Sequence, residues 1–306
     1  MEPTADAAEP DPPGRESFPA ALLRLVRVKH WLKNVFVLAP ALFSERIFER
    51  PVLLDAIAAF GAFCLLSSSL YVANDIRDRR EDALHPRKRS RPIASGRFDV
   101  TTGILIAIAL AAGSVAWSLY ELDVRFLIPL AAYAGNTVAY IVWLKYRVIV
   151  DVIMIACGFV IRLLAGCVAV HVEPSPWLLV CGFSLALVLG FGKRLAEVGS
   201  AGVSHDHRST LIAYSRDKLV LVLAVCTAVC LMSYMLFTVA PDTVARHGTR
   251  NLVYTVPIVA YGLFRYAFKA MEARGDGPTE ILFADPVFVM SGLVWVTAVL
   301  AALVWK

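Results

Sequence analysis

The chain of 306 residues is 58% hydrophobic and only 18% charged, and its mean hydropathy is +0.65. A soluble domain is nearer half apolar and a quarter charged, so this composition excludes an ordinary soluble protein and predicts a polytopic membrane protein. We expect membrane lipid around the helices and no nucleic-acid partner. The formal net charge of +5 says little until the charges are located.

The first 17 residues are rich in Pro, Ala and acidic residues, and they lack the basic start and apolar centre of a signal peptide. They predict a disordered tail at 1–17, followed by one transmembrane catalytic domain at 18–306. Long apolar stretches separated by polar breaks predict an all-α bundle of nine transmembrane helices. In chain order these are Leu22–Phe43, Val52–Ile76, Thr101–Tyr120, Arg125–Trp143, Val150–Val170, Pro176–Leu195, Lys218–Ala240, Leu252–Phe268 and Pro286–Trp305.

The first predicted span starts with a cationic segment that contains Lys29, Trp31, Lys33 and Asn34. Trp, Lys and Arg favour the membrane interface whatever the function, so one interpretation is a simple anchor. The other is substrate contact, because Lys29 and Lys33 share a face of an α-helix and there could hold the phosphate of a lipid headgroup. Both interpretations stay open.

The second predicted span runs into the pattern Asn74-Asp75-x-x-Asp78-x-x-x-Asp82. On a helix, offsets of three and seven keep the three carboxylates on one stripe, within roughly 60° of each other. Clustered carboxylates repel unless a cation lies between them, and Mg²⁺ prefers one or two carboxylates plus the oxygens of a phosphorylated substrate. The alternative is a polar helix end whose acids pair with neighbouring arginines. Because ionisable groups near membrane depth are costly and usually functional, we favour a metal-binding and catalytic site.

The next segment, His85–Gly96, is too rich in Pro and Arg to continue the helix. It carries Arg87, Lys88 and Arg91. One interpretation is a solvated loop that only fixes topology. Beside the acidic stripe it resembles a phosphate clamp instead, with bidentate contacts from Arg and a point charge from Lys. A metal-binding face next to a phosphate-attracting loop suggests an enzyme that acts on a diphosphate.

Four further residues are candidates for contact with substrate. Arg162 lies in the interior of the fifth predicted span, three helical turns from Asp151, and we expect it to be an ion-pair partner or to line the active cavity. Lys193 and Arg194 lie at the end of the sixth predicted helix, and Tyr214 lies in the following loop, which is rich in phosphate ligands.

The remaining basic residues lie mostly in alternate loops, on the same side as the N-terminus and the acidic pattern. The positive-inside rule therefore predicts that the N-terminus and the acidic site are cytoplasmic and that the C-terminus lies across the membrane. Phosphorylated metabolites and Mg²⁺ are available on that side.

The Asn74–Asp82 pattern and the Pro- and Arg-rich segment after it resemble the UbiA superfamily of intramembrane prenyltransferases, and the resemblance covers nearly the whole chain from Arg24. It implies a bundle of nine transmembrane helices and Mg²⁺ bound by the acidic pattern. Aromatic-acceptor members carry a second aspartate-rich motif after helix six. Here that loop begins Gly192-Lys-Arg-Leu-Ala-Glu197 and has one aspartate, Asp206, before Tyr214.

Lys193-Arg194-x-x-Glu197, with Trp31–Asn34 and Ala39-Pro40, is instead similar to the decaprenyl-phosphate phosphoribosyltransferase branch of mycobacteria and related bacteria. That resemblance implies transfer of 5-phosphoribose from phosphoribosyl pyrophosphate (PRPP) to decaprenyl phosphate, which supplies a precursor for cell-wall arabinan in the bacterial inner membrane. We assign the acceptor phosphate to Lys29 and Lys33, with Trp31 and Asn34 positioning that phosphate. The pyrophosphate is assigned to Arg87, Lys88 and Arg91. Lys193 and Arg194 are assigned to the 5-phosphate or to a share of the pyrophosphate. These phosphate assignments can be exchanged without contradicting the sequence.

Two rivals remain. One is an aromatic prenyltransferase that uses a prenyl diphosphate, and the other is a small transporter with an ion-binding carboxylate site. The transporter is disfavoured because the charges cluster at one membrane face and no inverted repeat is evident. A homo-oligomer is compatible with the family, but no residue demonstrates one.

Overall fold

The computed structural model describes residues 17–44, 46–84, 88–199, 214–272 and 285–305. Within these ranges the regular structure is helical, without a strand, as the sequence predicts. The α-helices are α1 (Phe18–Leu25), α2 (Ala39–Leu42), α3 (Arg50–Leu84), α4 (Val100–Glu121), α5 (Leu127–Val142), α6 (Val150–Ala169), α7 (Pro176–Gly199), α8 (Arg216–Val239), α9 (Pro241–His247), α10 (Val256–Glu272) and α11 (Pro286–Val304). Five 3₁₀ helices cover Val28–Val37, Lys88–Ser90, Val124–Phe126, Leu144–Tyr146 and Asn251–Thr255.

Seven helical segments in the described ranges are long and apolar enough to cross a membrane. They are α3, α4, the segment Val124–Val142 that contains α5, α6, α7, α8 and α11. Their outer faces suit lipid, because α4 and α11 expose large aliphatic side chains such as Leu105, Ile108 and Leu293. The chain is therefore a multi-pass membrane protein.

Two of the nine predicted spans take a different form. The first, Leu22–Phe43, is broken, because α1 ends at Leu25, Arg27 adopts a left-handed backbone with φ of 55°, and a 3₁₀ helix follows. The eighth, Leu252–Phe268, starts as a 3₁₀ turn and continues as α10, which has 17 residues and carries charged residues. Seven spans are supported by length and composition, and nine stays a prediction.

Small residues bring the helices close together around α6. A Cβ at Gly166 would overlap the backbone carbonyl of Val37, so α6 and the 3₁₀ helix Val28–Val37 are in direct contact. On the neighbouring helix, a Cβ at Gly182 would overlap the Leu163 side chain. The 3₁₀ helix Val28–Val37 also packs against α3. This position brings its polar residues beside the acidic end of α3.

Candidate active site

The acidic pattern lies at the end of α3, and its aspartates fall into two groups. Asp75 and Asp82 are buried, with 2% and 3% exposure, and both accept hydrogen bonds from one nitrogen of Arg91, at 3.2 and 2.6 Å. Asp75 also forms an ion pair with Arg27. α3 continues to Leu84, past the predicted end at Ile76, and this keeps the aspartates on one helix. Asn74 is half-buried on the same turn.

Asp78, the third aspartate, points to a different cation. Lys145 Nζ lies 2.9 and 3.0 Å from its two carboxylate oxygens, and Lys145 itself is buried. Lys145 belongs to the 3₁₀ turn Leu144–Tyr146 between α5 and α6. Pairing with the neighbouring arginines does not occur for Arg77 or Arg79, which donate to backbone carbonyls.

The segment after α3 forms a compact turn that holds Arg91 over the acids. Backbone hydrogen bonds close the turn, and Gly96 takes the positive φ of 74° that its shape requires. Ile93 and Phe98 are buried against α1 and α3, so the turn has an apolar anchor. Lys88 begins the turn and is half-buried. Arg87 lies outside the described residues.

The 3₁₀ helix Val28–Val37 sorts its side chains with a period of three. One edge faces α3, where Trp31 Nε1 donates to Ser68 Oγ at 3.0 Å and Asn34 Nδ2 donates to Ser67 Oγ at 3.1 Å. A second edge carries His30, Lys33 and Phe36. The prediction that Lys29 and Lys33 share a face is wrong, because it assumed an α-helix; Lys29 is exposed on a different edge.

Basic residues from three separate segments converge near His30. The positive charges of Lys33, Arg27, Lys193 and Arg91 all act on its imidazole. Arg27 of the N-terminal segment and Arg91 of the turn after α3 both pair with Asp75, and Lys193 at the end of α7 lies within electrostatic reach of His30. A cluster of cations around two carboxylates is an arrangement that suits a metal-bound anionic ligand.

Arg162 lies in the interior of the bundle, with 4% exposure. Its guanidinium donates to Asn34 Oδ1 at 2.8 Å, to Gly158 O at 3.0 Å and to Tyr133 Oη at 2.7 Å. It does not pair with Asp151, so the open question of an ion pair between those two residues is answered in the negative. Asn34 therefore links α6 to α3, because it accepts a hydrogen bond from Arg162 and donates one to Ser67.

Asp151 pairs with Arg194 instead, at 2.8 Å, and both are almost fully buried. Arg194 also pairs with Glu197, and Tyr214 donates to Asp151 Oδ1 at 3.1 Å while accepting a hydrogen bond from the Ile149 amide. Burial raises the pKa of Tyr214 to about 12, so it stays a neutral donor. This network ties α7 and the start of α8 to α6. Lys193, by contrast, is partly exposed, with Glu197 3.8 Å from its Nζ.

Asp75 and Asp82 are the residues best placed to hold a metal ion. Both direct a carboxylate oxygen at the same Arg91 nitrogen, so one small cation could replace that nitrogen between them. Two hard oxygen ligands, completed by water and phosphate oxygens, suit Mg²⁺. In the described part of the chain, no group of three His, Cys, Asp or Glu side chains converges on a metal position. Asp78 and Asn74 are therefore outside this pair, and their metal role stays a prediction.

The chain matches the UbiA prenyltransferase family over residues 35–293. It belongs to that family. Similar relatives include proteins named decaprenyl-phosphate phosphoribosyltransferase, from Corynebacterium glutamicum (30% identical over 92% of this chain and 86% of the relative) and from Mycolicibacterium smegmatis (30% identical over 98% of this chain and 97% of the relative). Among solved structures, a UbiA homologue from Archaeoglobus fulgidus bound to DMAPP and Mg²⁺ has a TM-score of 0.70 at 17% identity, covering 92% of this chain and 98% of that one.

These matches confirm the resemblance to the UbiA family and to its phosphoribosyltransferase branch, and they confirm that the protein is a transferase. The structural likeness supports the helical membrane fold. Three site residues escaped the sequence-based choice: Arg27, Lys145 and Tyr133. Their partners are far away along the chain. Arg27 belongs to the cationic segment at the start of the first predicted span but was not chosen, and no local pattern marks Lys145 or Tyr133.

Proposed function

We propose that this UbiA-family enzyme transfers 5-phosphoribose from PRPP to decaprenyl phosphate or a similar polyprenyl phosphate, with Mg²⁺ as cofactor. The observation that carries the proposal is the match, over more than nine-tenths of the chain, to relatives named for this activity. The geometry supports it, because a buried carboxylate pair lies among cations from three segments, which suits a substrate with several phosphates.

In this proposal the acidic pair and the turn after α3 bind the pyrophosphate of PRPP. Arg91 exchanges its carboxylate partners for phosphate oxygens, and we assign Lys88 to the same pyrophosphate, together with Arg87, which lies outside the described residues. Mg²⁺, when bound by Asp75 and Asp82, would supply Lewis-acid stabilisation of the leaving group. Lys193, partly exposed and electrostatically close to His30, is our choice for the 5-phosphate.

Arg194 and Tyr214 have a different place in this proposal. Arg194 pairs with Asp151 through Nε and with Glu197 through Nη1, and the Tyr214 hydroxyl bridges Asp151 and the Ile149 amide. We therefore assign both residues to positioning α7 and α8 and not to phosphate contact. This choice keeps Lys193 and Arg194, adjacent in sequence, in separate roles.

The reaction breaks the C1–O bond to pyrophosphate and forms a bond from C1 to a phosphate oxygen of the lipid. As the first bond lengthens, the ribose gains oxocarbenium character, and the preorganised cations favour the charge that builds on the departing pyrophosphate. The acceptor oxygen is already anionic, so no strong general base is required. Pyrophosphate leaves with both bonding electrons.

The site is expected to face the cytoplasm across a bacterial inner membrane, as the distribution of basic residues indicates. Lys29 and Lys33 remain our candidates for the acceptor phosphate, of which Lys33 lies on the edge that faces the cations.

A direct test offers membranes containing the protein two substrate pairs in the presence of Mg²⁺. One pair is radiolabelled PRPP with polyprenyl phosphate, and the other is a labelled prenyl diphosphate with an aromatic acceptor. The proposal expects label from PRPP to enter the lipid fraction. Label from the prenyl diphosphate in the aromatic acceptor alone would establish the aromatic prenyltransferase instead.

A further inference from the structure

Arg162 carries a positive charge inside α6 that the protein does not neutralise within the described ranges. Its three hydrogen-bond acceptors are an amide oxygen, a backbone carbonyl and a phenol, all neutral. The Tyr133 ring lies 4.4 Å from the guanidinium carbon. A buried charge without a counter-ion is costly, and a charge within a membrane span usually has a function.

Lys33 is a candidate for a second member of the site, because it directly precedes Asn34, whose Oδ1 accepts the hydrogen bond from Arg162 Nε at 2.8 Å. The Phe159 ring, which Phe36 on the Lys33 edge contacts, also lies 5.3 Å from the Arg162 guanidinium carbon. The positive charges of Lys33 and Arg162 therefore act on each other although the two residues belong to different elements. The ion pairs found in the described ranges involve neither Lys33 nor Arg162; their basic partners are Arg27, Arg46, Arg91, Lys145, Lys193, Arg194, Arg265 and Lys269. Two like charges held together in the bundle favour an anion between or beside them.

The surroundings of this pair are apolar on one side. Phe36 follows Lys33 on the same 3₁₀ edge, one turn further along, and packs edge-on against Phe159 with ring centroids 4.7 Å apart. Partly buried Phe183 and Leu187 of α7 join this cluster. A ligand that combines an anionic head with a long apolar chain fits a cation pair bordered by such a wall.

We propose that Lys33 and Arg162 bind the phosphate of the lipid acceptor, and that the buried charge of Arg162 selects a doubly charged phosphate monoester over a singly charged phosphodiester. The identity of the acceptor rests on the proposed function, but binding can be measured without transfer. Asn34, Tyr133 and Gly158 then serve to position the guanidinium, which acts on the phosphate beside Lys33.

The test uses the purified full-length protein with two probes, farnesyl phosphate and its methyl diester, at pH 7.5. At this pH the monoester is a dianion, because its second pKa is about 6. Dissociation constants are measured by native mass spectrometry. We expect the wild type to prefer the monoester by about tenfold or more, and Arg162→Gln to reduce this preference to about twofold or less. Arg162→Lys, which keeps the charge, should retain the preference.

Lys33→Gln keeps the test decisive if Arg162→Gln does not fold, because Lys33 is only half-buried and its removal should reduce the preference in the same way. Lys269→Gln is the charge-matched control, since Lys269 is exposed near the end of α10 and pairs with Glu272. An unchanged preference in folded Arg162→Gln and in Lys33→Gln, with a lower melting temperature alone, would make Arg162 structural and overturn the proposal.

The two proposals fail separately. Selective binding of farnesyl phosphate without any PRPP-dependent transfer leaves this anion site standing and removes the phosphoribosyl donor. Transfer from PRPP with no loss of monoester preference in either variant supports the proposed function and removes the anion site at Lys33 and Arg162.

Discussion

The ion pair between Lys145 and Asp78 can be tested by measuring how its removal changes the free energy of unfolding. Lys145 Nζ lies 2.9 and 3.0 Å from the two carboxylate oxygens, and the side chains are 6% and 17% exposed. Removing one partner of a buried pair costs about 3–5 kcal/mol because the other charge is left uncompensated. Asp78 keeps some solvent contact, so we discount that figure and expect Lys145→Met to lower the free energy of unfolding by about 2–3 kcal/mol.

A double-mutant cycle isolates the pair from other effects of each substitution. Asp78→Asn should also destabilise, and the double variant should lose less than the sum of the single variants, with a coupling of about 1–3 kcal/mol. Unfolding is followed by tryptophan fluorescence in mixed detergent micelles. Lys269→Met, at an exposed pair, is the control and should change stability by less than about 1 kcal/mol.

The same variants decide whether Asp78 works with Lys145 or with a metal. Mn²⁺ binding to the purified protein is measured by electron paramagnetic resonance. If Asp78 is a counter-ion remote from the metal, Asp78→Asn leaves Mn²⁺ affinity within about twofold, whereas loss of a direct ligand should cost at least the roughly tenfold that is typical even of an outer-shell partner. Additive single variants, together with a collapse of Mn²⁺ binding in Asp78→Asn, would refute the pairing and restore Asp78 to the metal site.

Three further outcomes follow from the site and the packing. Asp82→Asn should reduce phosphoribosyl transfer, assayed at limiting Mg²⁺, by about 100-fold or more while the protein still inserts and folds. Glu81→Gln, one residue earlier and exposed, is the control and should retain the transfer activity. Equal activity in the two variants would exclude Asp82 from the metal pair. Lys193→Ala should raise the KM for PRPP about tenfold and leave the KM for the lipid nearly unchanged, as measured by initial-rate kinetics. The opposite pattern would mean that Lys193 contacts the lipid acceptor and not PRPP. Gly166→Val should strongly lower the melting temperature in detergent, because the new side chain would overlap the Val37 carbonyl. Gly135→Val, in open space on α5, is the control and should change the melting temperature little. Similar melting temperatures for both variants would argue against the close contact between α6 and the 3₁₀ helix Val28–Val37.

The sequence predicted the helical spans well wherever a long apolar run decides the structure. α4, α6 and α7 begin within about one residue of the predicted starts, because hydropathy alone determines where a helix can cross lipid. The break in the first predicted span was not predictable in this way. Between Leu22 and Leu38 no Pro or Gly signals it, and the left-handed conformation of Arg27 occurs alongside its tertiary contacts with Asp75 and the Tyr71 ring.

The candidate site shows the same division between local and long-range information. Helical spacing predicted Asp75, Asp78 and Asp82 on one helix, and α3 carries all three. The basic segment that follows contains Arg91, which contacts two of these acids, but its predicted role in binding substrate stays a prediction. Which cation meets which carboxylate depends on how helices distant in sequence pack. Lys145 is 67 positions from Asp78, so its pairing cannot be inferred from spacing.

The pairing pattern explains why two of the three acids in the predicted stripe, Asp75 and Asp82, share a cationic partner while Asp78 does not. A stripe along one helix face puts three acids in line, but a metal site requires their oxygens to meet at one point. Arg91 brings Asp75 and Asp82 together from one side, while Lys145 draws Asp78 toward the turn between α5 and α6. If Asp75 and Asp82 bind Mg²⁺ as proposed, the remaining ligands must come from water and from the substrate, as Mg²⁺ prefers. The affinity for Mg²⁺ should therefore depend strongly on a bound diphosphate. We expect the protein alone to bind Mg²⁺ weakly, because it supplies only two ligands, and to bind the metal–diphosphate complex tightly, because the diphosphate supplies the others.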